Sequence, residues 1–300
     1  MLGNGVTKLL YSYFWVSNMR RESFLRKLKE ENPHLSLILD SGAYTYSQQS
    51  LTHDLPEPRL FFKRYQQYIR DYGELFDQIF ELDIDGTEGI DVDSDQVASW
   101  TSRLLDEFPD LKIVPVYHSW RGVEEWDQYL EDPRIKGMAI GRSPPLDGQI
   151  GVYLDRAHQR GITVHGLAFT KYNTSLKYLP FDSVDSSSWS TGQRYGNFHY
   201  YNNGNILNLT VANRGKMRVR QLQQYIKARG CDPKKIIAGD RMELLQCNIR
   251  TWILVSQRLE LMRKQQKRMI TEENPKMEVV SQPQPRTSLF DLRSFMLPPK

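Results

Sequence analysis

Residues 112–141, KIVPVYHSWRGVEEWDQYLEDPRIKGMAIG, decide the fold class. An aliphatic run over 112–117 ends in Tyr117-His118, and an amphipathic stretch follows at 122–130. Pro133 stops that stretch, and a second short apolar run comes at 137–141. Strand, helix and strand in so short a span form a βαβ unit, whose two strands run parallel.

The same rhythm extends in both directions. Further strands are expected at 8–14, 35–40, 78–84, 163–168 and 181–185, and helices near 20–30, 58–73, 94–107, 149–160 and 173–179. Pro33, Pro109 and Pro180 also fall just before strands, where a helix has to stop. Gly161 suits the C-terminal end of its helix. Seven strands in this order, with room for an eighth near 205–211, predict an α/β fold of the (β/α)8 TIM-barrel type. A doubly wound sheet would want a glycine-rich turn after its first strand, and LLYSYFWVSN has none.

Beyond residue 190 the rhythm changes. Asn202-Asn203-Gly204 lies between strand-like residues and signals a hairpin turn. Residues 216–229 and 240–268 read as helices, and from about 270 the chain turns polar and proline-containing, as in a segment without fixed structure. The expected organisation is a catalytic barrel over 1–213, a basic helical appendage over 214–268 and a tail over 269–300.

Charge follows the same division. Residues 1–213 carry 21 Lys and Arg against 28 Asp and Glu, whereas residues 214–268 carry 15 against 4. A basic segment beside an acidic body suits a polyanionic partner, because each cation placed near a phosphate releases condensed counterions. Cys231 and Cys247 are the chain's 2 cysteines, too few for a disulfide framework or a four-cysteine zinc site. With neither a secretion signal nor an apolar run of membrane-spanning length, a cytoplasmic protein without membrane attachment is expected.

Barrel enzymes work at the C-terminal ends of their strands. Those ends carry Asp40-Ser41-Gly42, Glu81 to Asp85, Tyr117-His118, His165-Gly166 and Asp182 to Asp185. Aspartate or serine after a strand often only caps the next helix, and His165 also fits a buried core position. Collected at one rim, however, they form an acid/base set richer than packing alone requires. No HExxH, P-loop, GxSxG or CxxC motif occurs in the chain.

At these strand ends the sequence resembles the tRNA-guanine transglycosylase superfamily. LDSGAYTY (39–46) is similar to its DSGGFQ signature, HGLAFT (165–170) to its GGLAVGE strand, and PFDSVDSS (180–187) to its nucleophile strand. FELDID resembles the strand whose aspartate reads the base, and RYGNFHYYNNGNILNLTVAN the hairpin after the nucleophile. The resemblance implies Asp185 as covalent nucleophile, with Asp182 the alternative, and Asp40 as general acid/base. It implies base recognition by Ser41, Asp83, His165, Gly166 and Asp182, with Tyr117 or His118 in place of the family's Gln-Gly-Gly. Neither a metal nor a cofactor is implied.

The family's zinc-binding cysteine cluster is missing, which points to the phage and bacterial branch that inserts 7-deazaguanine bases into DNA. DNA and a free 7-deazaguanine base are then the expected partners. Arg194, Arg214, Lys216, Arg218, Arg220, Lys234 and Lys235 would hold the backbone. The alternatives are a tRNA or other RNA base exchanger and a non-catalytic nucleic-acid-binding barrel.

Overall fold

The computed structural model describes residues 5–16, 22–50, 53, 55–141, 149–169, 179–202, 204–273 and 287–291. The helix expected at 173–179 lies, but for its last residue, outside them. Two compact units are present, one of Thr7–Ala168 with Asp291–Lys300 and one of Met1–Val6 with Phe169–Phe290. This division falls well before the boundary that the charge pattern suggested at 213.

The unit built on Thr7–Ala168 contains β1 (Lys8–Ser12), β2 (Ser36–Asp40), β3 (Gln78–Phe80), β4 (Ile113–Val114), β5 (Val116–Tyr117), β6 (Gly137–Ile140) and β7 (Thr163–Gly166). All pairings are parallel and follow chain order, β1 with β2, β2 with β3, β3 with β4, β5 with β6 and β6 with β7. One strand was expected over 112–117. Pro115 divides it, because proline has no N–H to give the ladder. Its carbonyl still accepts from Ala139 N–H at 2.8 Å.

Leu10, Leu37, Leu39, Ile79, Val114, Val116, Met138 and Val164 are almost wholly buried. Strands covered on both faces read as continuous apolar runs, which is how the sequence revealed them. Each such side chain stabilises the unit by about 1.5–3 kcal/mol.

Helices α1 (Tyr13–Val16), α2 (Glu22–Glu31), α3 (Ala43–Ser50), α4 (Pro58–Tyr72), α5 (Ser94–Glu107), α6 (Val123–Glu131) and α7 (Ile150–Gln159) connect these strands. α4 buries Phe61, Phe62, Tyr65, Tyr68 and Ile69, a spacing that puts them on one helical stripe. α5 begins where the Asp93 carboxylate accepts the Gln96 N–H at 2.8 Å. α3 follows β2 at once, a helix not foreseen because AYTYSQQS carries no apolar stripe.

The other unit holds β8 (Ser183–Ser186), α8 (Thr191–Tyr195), β9 (Phe198–Asn202), β10 (Asn205–Leu209), α9 (Arg220–Ala228), α10 (Pro233–Ala238), α11 (Arg241–Glu273) and β11 (Thr287–Asp291). β10 is the strand expected near 205–211 as an eighth barrel strand. It pairs antiparallel with β9 instead, Asn205 opposite Asn202, with Gly204 at φ 83° in the turn. The hairpin signalled by Asn202-Asn203-Gly204 is thus formed, and it takes up the segment that had room to serve as the eighth barrel strand.

β11 corrects a second expectation. It lies in the tail read as lacking fixed structure, yet it pairs parallel with β8 from Thr287 opposite Ser183 to Phe290 opposite Ser186. Both units are therefore α/β with parallel strand pairing. No helix among the described residues is long and apolar enough to cross a membrane.

A neutral polar network ties the hairpin to α11. The buried His199 ring accepts from Trp252 Nε1–H through Nδ1 at 2.9 Å. Its Nε2 therefore carries the proton and donates to Thr191 Oγ1 at 3.2 Å, which donates in turn to the Ser188 carbonyl. Asn248 accepts the His199 N–H at 2.8 Å and donates to the Asn197 carbonyl at 3.1 Å. Burial lowers the His199 pKa from 6.5 to about 4, so the ring is neutral at physiological pH. Beside it, Phe198, Tyr200, Leu222, Ile226, Ile236 and Leu244 form the apolar core of this unit.

Candidate active site

Parallel strands end together on one edge. Ser12 stands opposite Asp40, Tyr117 opposite Ile140, and Ile140 opposite Gly166. Asp40, Asp83, His118 and Gly166 thus lie along one edge of the Thr7–Ala168 unit, as expected of strand-end residues.

Asp40 closes β2 and is buried. The chain then turns through Gly42 at φ 81°, where an added Cβ would lie 2.4 Å from Phe14 Cβ. Only glycine fits that turn. Ser41, expected at the substrate, is buried and accepts the Ala43 N–H at 3.4 Å, which is a turn role.

Asp83 Oδ2 lies 3.0 Å from His118 Nε2. The carboxylate accepts a hydrogen bond from Nε2–H, which sets the tautomer of the ring. The imidazole sits so close over Gly141 that a Cβ there would lie 2.3 Å from His118 Cε1. Beneath this edge, Tyr65 O–H donates to the Phe80 carbonyl at 2.6 Å. Burial raises its pKa well above the ordinary tyrosine value, and the charges of Asp40 and Asp83 add to the rise. The two carboxylates therefore share one electrostatic neighbourhood.

A 3-10 turn over Ser119–Arg121 follows His118. Arg121 is buried and donates to three carboxylates. Its Nε reaches Asp85 Oδ2 at 2.7 Å and its Nη2 the other oxygen, while Nη1 lies 3.2 Å from Glu81 and 3.3 Å from Glu125. Nη1 also meets the Val116 carbonyl at 3.0 Å. Desolvation pushes Glu81 up to about 7 against the pull of Arg121 and the Thr101 hydroxyl. Burial acts to raise Asp85 too, but its paired bonds from Arg121 outweigh that and leave its pKa lowered. The cluster anchors the turn that carries His118 and Trp120. Sequence reasoning missed it, because Asp85 and Glu81 lie 36 and 40 residues from Arg121 along the chain.

Tyr117 and His165 are placed away from the role expected of them at the rim. The Tyr117 ring packs against Trp126 and Tyr153, with centroids at 5.1 and 5.6 Å. Side chains alternate along a strand, so the adjacent His118 faces the other way. His165 is buried with its ring 5.0 Å from Phe80. Gly166 is buried in its β6 pairing, and two residues on Ala168 adopts φ 57°, an uncommon conformation for a residue with a side chain.

In the Phe169–Phe290 unit, Asp182 and Asp185 are both buried. Asp185 lies within β8, sharing a face with Ser183, and Asp182 directly precedes that strand. Arg194, Arg220, Lys234 and Lys235 are exposed, as are Lys227, Arg241 and Arg258, which the sequence reading had not singled out. The side chains of Arg214, Lys216 and Arg218 lie outside the described residues. Arg250 is engaged within the unit, donating to the Arg229 and Gly230 carbonyls at 2.5 and 2.9 Å. Comparison of the chain with protein-family models, curated proteins and solved structures gives no match, so the resemblance rests on the motifs quoted from the sequence.

Proposed function

We propose that the chain is a base-exchange transglycosylase that replaces guanine in DNA with a 7-deazaguanine through a covalent aspartyl–sugar intermediate. One observation carries the reading. Asp40, Asp83 and His118 lie on the C-terminal edge of a parallel, chain-ordered set of strands, which is where barrel enzymes place their chemistry. Closure of the strands into a (β/α)8 barrel is part of the proposal, and the chain-ordered pairing of β1 to β4 and of β5 to β7 supports it.

In this reading Asp185 attacks C1′ as the C1′–N9 bond to guanine breaks, through an oxocarbenium-like transition state. Asp40 gives the departing base its proton. It then takes the N9 proton of the incoming 7-deazaguanine, whose nitrogen attacks C1′ and releases Asp185. Two displacements at one carbon retain its configuration. Asp83 accepts hydrogen bonds from the ring N–H and amino group of the base, and His118 holds that carboxylate in place. The exposed cations from Arg194 to Arg258 meet the phosphates. A base in duplex DNA must be flipped out at a cost of about a few kcal/mol.

The test is nucleoside mass spectrometry on DNA and tRNA from cells that express the protein and receive 7-deazaguanine precursors. A 7-deazaguanine nucleoside in DNA is expected. Its appearance in tRNA alone would move the activity to RNA, and its absence from both would contradict the proposal.

A further inference from the structure

Trp120 combines exposure with close contacts on several sides. It is 56% exposed, while the other described tryptophans are buried or half-buried. An exposed indole normally loses freedom only where something holds it, and here four features do. One face stacks on the His118 ring, with centroids at 4.1 Å and planes 13° apart. Indole Nε1–H points at Asp85 Oδ2 at 3.4 Å. Gly86, at φ 66°, lets the backbone pass so close that a Cβ would lie 3.2 Å from Nε1. Arg121, next in the chain, is locked by its buried carboxylates.

The pile is also placed where a ligand would meet it. It stands on the turn after β5, on the same edge as Asp40, and its lower ring is the one bonded to Asp83. A large π surface held rigid at low entropic cost is the means by which proteins take up unpaired bases, since every base has a face to stack. Small molecules favour concave sites that cover most of their surface. A ring more than half exposed suits a base that belongs to a longer strand.

We infer that the exposed part of Trp120 is a stacking platform for an unpaired base of the nucleic-acid strand that the enzyme acts on. This rests on the function proposed above and adds to it a residue outside the acid/base set. The platform offers a strand the stacking it loses when its neighbouring base leaves the helix. Stacking gives affinity without choosing among bases, so sequence preference is left to Asp83 and the rest of the edge.

The experiment titrates the full chain with a short single-stranded oligodeoxynucleotide and with an abasic strand of equal length. Tryptophan fluorescence and the anisotropy of a labelled strand are both followed. Quenching is expected with the base-bearing strand and not with the abasic one. Trp120→Leu should weaken binding of the base-bearing strand about tenfold, down to the abasic level, by the usual worth of one stacked base. Trp120→Phe keeps an aromatic face and should stay within about threefold, which covers the case in which the leucine variant folds poorly. Wild-type affinity for the base-bearing strand in Trp120→Leu would overturn the inference and leave the proposed function standing. Quenching by free guanine and by no strand would overturn the assignment to a strand. Failure of the wild-type protein to bind any strand would overturn the proposed function, and the inference with it.

Discussion

The chain fixes the turn after β5 and the hairpin strand β9 by opposite electrostatic means. Around Arg121, one buried cation meets Glu81, Asp85 and Glu125. Around His199, a neutral imidazole joins Trp252, Thr191 and Asn248 with no ion pair in the set. Both networks are buried. They differ in how they respond to pH. Glu81 is raised from 4.5 to about 7, so the stability it contributes is present below 4.5 and is lost as the pH rises through about 7. His199 is lowered from 6.5 to about 4, so its contribution is present above 6.5 and is lost as the pH falls through about 4. A buried charge is strong only while its partners keep theirs, whereas a buried neutral network holds until it is forced to accept a proton.

The largest effect should come from breaking the charged network. Arg121→Met leaves three buried carboxylates without their cation and is expected to cost about 3–5 kcal/mol in urea unfolding at neutral pH. Lowering the pH should recover part of this loss as Glu81 and its neighbours take up protons. A loss of under about 1 kcal/mol would mean that the carboxylates are already neutral or hydrated, and the contrast between the regions would fail.

A smaller effect is expected at His199. Its lowered pKa corresponds to about 3 kcal/mol of stability lost between pH 6.5 and pH 4. His199→Leu should flatten that part of the stability profile whatever its absolute stability. An unchanged slope in the variant would assign the acid sensitivity to other groups.

These networks also mark how far the sequence was legible. The strands of the Thr7–Ala168 unit could be read because both faces are buried, which leaves apolar runs at 35–40, 137–141 and 163–168. Asp40 closes β2, His118 directly follows β5 and Asp83 lies three residues beyond β3, so each could be placed from the apolar run before it. The interruption at Pro115 changes one pairing without changing the apolar pattern around it. β10 followed its turn rather than the rhythm of the chain, and α3 and β11 lie in polar text where periodicity is silent. Trp120 and Arg121 sit in HSWRG, which reads as an ordinary loop. Their roles come from Asp85, Gly86 and Glu81, and such pairings leave no local mark. His199 likewise depends on α11, about fifty residues away.

The central claim is that a carboxylate on β8 attacks the sugar while Asp40 serves the base. Trapping the protein with an oligodeoxynucleotide and an incoming 7-deazaguanine, followed by a denaturing gel, tests it directly. The wild-type chain should give a denaturant-resistant complex. Asp185→Asn, which keeps size and polarity but removes the attacking charge, should give none, and Asp40→Asn should slow exchange severely while still allowing some adduct. A full-strength adduct from Asp185→Asn together with its loss in Asp182→Asn would transfer the role to Asp182. Adducts surviving both substitutions would contradict the covalent mechanism.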